Sequence, residues 1–189
     1  MNTARFPIHF IGAGPGAEDL ITERGAALLK EADVVVYAGS LVNPAHLKRC
    51  RPEAELHDSA RMNLKEQVEV MARGVLEGKK VVRLHTGDPS MYGAVAEQFD
   101  LLDKKGIESI VVPGVSSVFA AAAALRTELT YPGLAQSLVL TRTPGRTPMP
   151  SGEACEAFAK TGATLAFFLS AGKLDELAAR LVSAGKSPD

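Results

Sequence analysis

Two glycine-rich segments contain the residues whose types and spacing are best suited to binding a ligand. Residues 12–16 (GAGPG) and 86–93 (TGDPSMYG) each follow a short apolar run that is typical of a β-strand. Glycine is needed where the chain takes a positive φ or where the backbone must approach a ligand closely. Because loops at the carboxyl ends of parallel strands form the ligand sites of open α/β sheets, the two segments predict one common cleft.

A nicotinamide dinucleotide site is the first alternative, because residues 12–17 satisfy the pattern G-x-G-x-x-G/A after a predicted strand. In a dinucleotide-binding fold this turn leads directly into a helix whose N-terminus binds the pyrophosphate. Here Pro15 interrupts the turn, and the first N-cap signal is Thr22. The strand predicted at residues 33–37 also ends without the acidic residue that binds the ribose. These departures count against a nicotinamide cofactor.

Composition narrows the class of protein. The 189 residues are 46% hydrophobic and carry a formal net charge of -1, which favours a chain that buries a core and has no basic surface for nucleic acid. No apolar run reaches the roughly 18 residues of a membrane-spanning helix, so we expect a soluble, cytoplasmic protein without a membrane partner. Cys50 and Cys155 are expected to be free thiols. They form no zinc-ligand spacing with the four histidines, so no metal site is predicted.

Strand and helix signals alternate along the chain, which predicts an α/β fold with a parallel sheet covered by helices on both faces. Thr22, Asn43 and Asn63 are the candidate N-caps of the first helices, and Asn63 with Glu66 has the spacing of a capping box. A first domain is predicted to span residues 1–113. The remaining strand and helix signals assign residues 114–189 to a second domain.

Longer stretches of the sequence resemble the tetrapyrrole methylase family, in particular its cobalamin-pathway branch. The resemblance rests on residues 12–22 (GAGPGAEDLIT), 32–42 (ADVVVYAGSLV), 81–93 (VVRLHTGDPSMYG), 112–124 (VPGVSSVFAAAAA) and 140–150 (LTRTPGRTPMP). It implies a two-domain α/β fold with a sheet flanked by helices in each domain, and a homodimer. It also implies S-adenosylmethionine as the cofactor and methyl transfer to carbon 11 of precorrin-4 or cobalt-precorrin-4, in cobalamin biosynthesis.

The resemblance also implies which residues bind the methyl donor. They are Gly14, Pro15, Gly16, Thr86, Gly87, Asp88, Met91, Ser116, Ser117 and Leu169. Asp88 has a structural alternative, because an aspartate beside a glycine turn often caps local backbone groups. The α-helix expected after Ser116 has a similar alternative, namely a closely packed helix without a ligand at its N-terminus.

Cationic residues are the candidates for binding the acetate and propionate groups of a tetrapyrrole, since planar guanidinium groups form paired hydrogen bonds with carboxylates. Arg83 and His85 alternate onto one strand face, and because a buried arginine is costly unless paired, we expect this face to meet a cleft or a carboxylate. The resemblance adds Arg61, Arg142 and Arg146. For these three the alternative is a solvated surface position.

No catalytic side chain is predicted. Methyl transfer from a sulfonium donor is an in-line displacement, so the protein must hold the donor and the accepting carbon in line and exclude water. An electron-rich carbon of the reduced tetrapyrrole can attack the methyl group directly, which agrees with the lack of a Ser-His-Asp or Cys-His arrangement. Some relatives have an aspartate after the tyrosine of the second strand. This position is Ala38 here, so no acid–base role is transferred.

The resemblance further implies that relatives continue beyond the position of Asp189, so the second domain is expected to be incomplete. One alternative is therefore an inactive fragment that folds and dimerises. A second is another tetrapyrrole methylase, such as uroporphyrinogen-III methyltransferase. Diphthine synthases and ribosomal-RNA methylases share the first glycine turn, but residues 85–93, residues 140–148 and the lack of a basic patch count against both.

Overall fold

The computed structural model describes residues 5–39, 41–145 and 147–188. The chain divides into two compact units, Met1–Ala120 and Ala121–Asp189. The first unit contains five strands, which are β1 (Ile8–Gly12), β2 (Val34–Tyr37), β3 (Glu55–Asp58), β4 (Val81–His85) and β5 (Ser109–Val112). All are parallel, in the order β3-β2-β4-β1-β5. The predicted α/β class and parallel sheet are confirmed, and the predicted domain end at Pro113 directly follows β5.

The helices of the first unit begin at the residues that the sequence indicates. They are α1 (Glu23–Glu31), α2 (Leu64–Leu76) and α3 (Val95–Asp103), with short 3-10 helices at Glu18–Leu20, Pro44–Arg49 and Ser59–Arg61. Thr22 caps α1 by accepting the Gly25 N–H at 3.2 Å. Asn63 and Glu66 form the predicted capping box of α2, with reciprocal bonds of 3.0 and 2.7 Å. A further helix, α4 (Ser117–Leu125), crosses the division between the units.

The core of the first unit lies on both faces of the sheet, as expected for buried parallel strands. Phe10 and Val36 face α2 and α3, where Met71 and Leu102 are fully buried. The intervening residues of the same strands point to the other face of the sheet and face α1, where they pack with the buried Leu29. The glycine loops after β1 and β4 are therefore attached to strands that are buried on both faces, whereas β5, at the edge of the sheet, leaves Ile110 and Val111 partly exposed.

The second unit contains β6 (Leu138–Arg142) and β7 (Thr164–Phe168), which pair in parallel, and the helices α5 (Cys155–Ala159) and α6 (Leu174–Ser183). Arg180 joins the two helices by donating to both carboxylate oxygens of Glu156 at 2.7 and 3.0 Å. Both cysteines are free, as predicted. Within the described residues, no helix combines the length and the apolar character that crossing a bilayer requires.

Candidate functional site

Three loops lie at the carboxyl edge of the first sheet, after the neighbouring strands β1, β4 and β5. The two glycine-rich segments of the sequence are paired through their backbones. Gly14 N–H donates to the Gly87 carbonyl at 3.2 Å, and Gly87 N–H donates to the Gly14 carbonyl at 2.8 Å. The first and second loops are therefore held together without the help of any side chain.

The third loop joins this pair through glycine as well. A Cβ atom on Gly12 would overlap the Gly87 carbonyl oxygen and lie 2.6 Å from Gly114 Cα. A Cβ atom on Gly114 would overlap the same carbonyl and lie 2.8 Å from Gly12 Cα. We call Gly12, Gly87 and Gly114 the glycine junction. Gly12 and Gly114 were not among the predicted site residues, although both lie in the motifs that carry the resemblance.

Glycine is required at position 87 because of its backbone conformation, and not because a Cβ atom would lack room there. Its φ is +58°, in the left-handed region that favours glycine. The nearest atoms to a Cβ there would be Ser116 Cα and the Val115 carbonyl oxygen, both 3.9 Å away. The predicted donor residues Ser116 and Ser117 therefore lie within ordinary contact distance of a Cβ atom at Gly87, at the start of α4. The absence of a side chain at Gly87 suits a ligand that approaches the main chain closely.

Asp88 fastens the second loop to the third. Its Oδ2 accepts the Gly114 N–H at 2.8 Å, while Oδ1 accepts the Ser90 N–H at 2.8 Å and is also bonded by the Ser90 hydroxyl. Partial burial acts to raise the pKa of Asp88, but the hydrogen bonds from Ser90 and Gly114 outweigh it and hold the pKa below its usual value. Both carboxylate oxygens are used within the protein, which favours the structural alternative for this side chain.

The first loop is fixed from the opposite side by the segment around Pro44–Arg49. Asn43 donates from Nδ2 to the Gly16 carbonyl at 2.8 Å, and Arg49 donates to the Glu18 carbonyl at 2.9 Å. Asn43 also caps the 3-10 helix, as predicted. Its contact with Gly16 was missed, because a capping signal in the sequence gives no information about a partner 27 residues away.

Arg83 lies inside the first unit, where a role in substrate binding is not supported. All three guanidinium nitrogens donate to neutral oxygens: Nε to Gln98 Oε1 at 3.3 Å, Nη1 to the Val36 carbonyl at 3.2 Å and Nη2 to Gln67 Oε1 at 3.3 Å. Burial lowers the pKa of Arg83 to about 10, so the group remains charged at neutral pH. The expected carboxylate is replaced by two glutamine side chains and a backbone carbonyl.

His85 is also buried, on the same face of β4 as Arg83. Its ring stacks on Phe10 with centroids 5.9 Å apart, and Phe10 contacts Phe99 edge to face at 4.8 Å. Among the described residues, its Nε2 has no hydrogen-bond partner. Burial, with a smaller effect of the nearby Arg83 charge, lowers the pKa of His85 to about 3. The imidazole is therefore neutral at physiological pH.

The remaining residues predicted to bind the substrate are three arginines that do not belong to β4. Arg61 is exposed at the end of the 3-10 helix Ser59–Arg61. Arg142, at the end of β6, holds its own loop by donating to the Thr143, Thr147 and Pro148 carbonyls at 3.2 Å and to Thr147 Oγ1 at 2.8 Å. Arg146 lies outside the described residues.

Leu169, the last predicted donor residue, follows β7 in the second unit. It is 74% exposed and has φ +55°, although leucine disfavours that region. The next residue, Ser170, is buried, and its hydroxyl donates to the Phe168 carbonyl at 2.7 Å and accepts the Thr143 N–H at 3.0 Å. The other predicted donor residues all belong to the three loops of the first unit: Gly14, Pro15, Gly16, Thr86, Gly87, Asp88, Met91, Ser116 and Ser117.

The fold and the glycine junction define a parallel α/β protein whose glycine loops meet at the carboxyl edge of its sheet, the edge at which open α/β sheets bind their ligands. The sequence model of the tetrapyrrole (corrin/porphyrin) methylases matches residues 7–188, and the chain belongs to this family. A relative from Methanocaldococcus jannaschii, named cobalt-precorrin-4 C(11)-methyltransferase, is 50% identical over 175 residues, which cover 93% of this chain and 68% of the relative. The predicted family is thereby confirmed.

Solved structures agree with this assignment. A cobalt precorrin-4 methyltransferase of cobalamin biosynthesis superposes with a TM-score of 0.93 at 49% identity, over 96% of this chain and 76% of the other. A uroporphyrin-III C-methyltransferase from Thermus thermophilus, solved in complex with S-adenosylhomocysteine, gives a TM-score of 0.78 at 28% identity, over 97% of this chain and 74% of the other.

Substitution of Gly114 by alanine tests the glycine junction. The added methyl group would overlap the Gly87 carbonyl, so the loops must separate. We expect the free energy of unfolding, measured by urea titration, to fall by about 1–3 kcal/mol. Gly172→Ala is the matched control, because no atom lies within 4 Å of its Cβ position. Equal stability of the two variants would show that the three loops are not in tight contact.

Substitution of His85 by phenylalanine tests its burial in the neutral form. An unfolded histidine has a pKa of about 6.5, so between pH 6.5 and 3 the unfolded chain takes up a proton that the folded chain does not. The stability that His85 contributes is therefore complete above pH 6.5 and is lost as pH falls, by up to about 1.4 kcal/mol per pH unit. Urea unfolding from pH 7 to 4 should show a shallower acid loss for His85→Phe, and identical pH slopes would contradict this account.

Proposed function

We propose that the chain binds S-adenosylmethionine at the glycine junction and transfers its methyl group to carbon 11 of precorrin-4 or cobalt-precorrin-4. The observation that carries the proposal is the main chain of Gly87, which has no side chain and lies where the paired backbone loops meet the start of α4, in a member of a methylase family. The 50% identical relative and the 49% identical structure, both named for cobalt-precorrin-4 methylation, support the substrate class.

The described residues fit a donor of this chemistry. Gly14, Gly16 and Gly87 have φ values of +80°, +127° and +58°, a region that residues with a Cβ atom disfavour, so the loops keep main chain without side chains at these positions. Ser116 directly precedes α4 and Ser117 begins it, and the first N–H groups of a helix have no partner within the helix. When bound, the donor supplies an electrophilic methyl group on a sulfonium. In this proposal the loops hold and orient it, with Pro15, Thr86 and Met91 as further contacts.

Substrate binding is proposed not to depend on Arg83 and His85, the buried cationic candidates of β4. Arg61, Arg142 and Arg146 remain the candidates for the carboxylates of the macrocycle, and Arg142 would act together with the loop that it holds. Arg83 is assigned to the interior of the first unit. Asp88 is assigned to holding the loops and not to proton transfer, because both its oxygens accept hydrogen bonds from the protein.

We also propose that the protein is a cytoplasmic homodimer, as the family resemblance implies. In this proposal two large apolar side chains of α4 are available for a subunit contact, since Phe119 is 57% and Leu125 is 75% exposed.

Ligand-induced stabilisation tests the donor. We expect saturating S-adenosylhomocysteine to raise the melting temperature, because a ligand that binds only the folded state stabilises it, and NAD to leave it unchanged. Gly87→Val is the matched variant. Its branched side chain disfavours φ +58° and would occupy the space beside Ser116, so it should lose the response while keeping a native circular dichroism spectrum. Stabilisation by NAD without stabilisation by S-adenosylhomocysteine would refute the proposal.

Transfer of labelled methyl groups tests the substrate. With labelled S-adenosylmethionine, label should appear in precorrin-4 or cobalt-precorrin-4, and parallel reactions with both identify which one is used. Uroporphyrinogen III is the control for the alternative methylase. Label in uroporphyrinogen III alone would show that the chain is a uroporphyrinogen-III methyltransferase instead.

A further inference from the structure

Arg83 is a buried charge to which the proposed function gives no role. Its side chain extends from β4 between α2 and α3, and the residue is only 5% exposed. Two of its partners are glutamine side chains, Gln67 of α2 and Gln98 of α3. A buried charge with neutral partners is costly, so packing alone does not account for it.

Both glutamines extend the hydrogen bonding of Arg83 to a backbone carbonyl. Because a guanidinium group only donates, the amide oxygen of each glutamine faces it and the amide nitrogen faces away. Gln98 Nε2 donates to the Ala94 carbonyl at 3.1 Å. Gln67 Nε2 donates to the Met62 carbonyl at 3.1 Å. The positive charge polarises each amide, which strengthens the bond that its nitrogen donates. Arg83 thus acts on the backbone before two different helices.

Ala94 is the residue at which the loop after β4 ends and α3 begins. Thr22 and Asn63 cap α1 and α2 with their side chains, whereas the alanine at the N-cap of α3 has no polar side chain to do the same. Its φ of +48° lies in the left-handed region, which alanine disfavours. Strain of this kind persists only where the surrounding structure imposes it, and the bond from Gln98 is one such contact.

The loop between Ala94 and the glycine junction is tightly folded. A Cβ atom on Gly93 would overlap the Pro89 carbonyl oxygen, so these two backbone segments are in direct contact. Pro89 directly follows Asp88, which accepts the Gly114 N–H of the junction at 2.8 Å. A shift of Ala94 would therefore displace Gly93 against Pro89, next to the side chain that fastens the second loop to the third.

We propose that Arg83 positions the loop that binds the methyl donor, by acting through Gln98 on Ala94. This loop comprises residues 86–93, and its start lies in the glycine junction. The inference rests on the proposed function and adds to it a positioning residue that does not bind the donor itself. Gln67 has the same partner but holds Met62, which lies outside the three loops.

Gln98→Glu and Gln67→Glu form a matched pair for the test. Each keeps an oxygen for Arg83 and replaces the amide nitrogen, so the carbonyl beyond it loses its donor and meets a second oxygen. We expect Gln98→Glu to weaken S-adenosylhomocysteine binding about tenfold in calorimetry, and Gln67→Glu to stay within about twofold of the parent chain. Gln98→Met and Gln67→Met repeat the comparison without a buried carboxylate, and urea titration shows that each variant is folded.

Hydrogen exchange measures the positioning of the loop without any ligand. Amides in peptides that cover residues 88–94 should exchange faster in both Gln98 variants than in both Gln67 variants. Equal exchange in this loop for the two pairs would mean that Gln98 contributes only to overall stability, and it would overturn the inference.

A double-mutant cycle tests whether Arg83 acts through Gln98. Arg83→Met should weaken donor binding to a similar extent as Gln98→Met, and the double variant should bind no more weakly than either single variant. Additive losses would overturn the inference, as would equal donor affinities of the Gln98 and Gln67 variants when the parent chain binds S-adenosylhomocysteine. A parent chain that does not bind S-adenosylhomocysteine would contradict the proposed function itself, and the inference with it.

Discussion

Backbone contact among Gly12, Gly87 and Gly114 is the constraint on which the candidate site depends. The three residues follow neighbouring strands of one parallel sheet, so the spacing of the strands already brings their loops close. The absence of side chains then allows direct contact, and a methyl group on Gly12 or Gly114 would force the loops apart. The three loops are therefore linked to one another through main-chain atoms.

Polar side chains around the glycine junction hold the three loops in position. Asp88 joins the second loop to the third, and Asn43 fixes the first through the Gly16 carbonyl. Below them, Arg83 connects α2, α3 and β2 through neutral oxygens. A buried guanidinium with only neutral partners is costly, and its retention is consistent with a role in setting the start of α3 and the loop before it.

Features that depend on neighbouring residues could be predicted from the sequence. Thr22 and Asn63 indicated helix starts because their capping partners lie three residues away, and the apolar runs indicated strands because burial on both faces requires them. The burial of Arg83 among neutral hydrogen-bond acceptors could not be predicted. Its partners Gln67 and Gln98 come from two helices whose packing the sequence does not specify. The two alternatives for Asp88 stayed open for the same reason, because Gly114 lies 26 residues away.

Hydrogen exchange of the backbone amides, followed by mass spectrometry with and without saturating S-adenosylhomocysteine, tests most directly whether the donor binds at the glycine junction. A ligand held by main-chain groups should slow exchange in peptides that cover residues 13–17, 86–92 and 114–118. Exchange in the peptides of α2 (Leu64–Leu76), which lies in the core away from these loops, should stay unchanged. Protection confined to segments other than the three loops, in a chain that binds the ligand, would contradict the account.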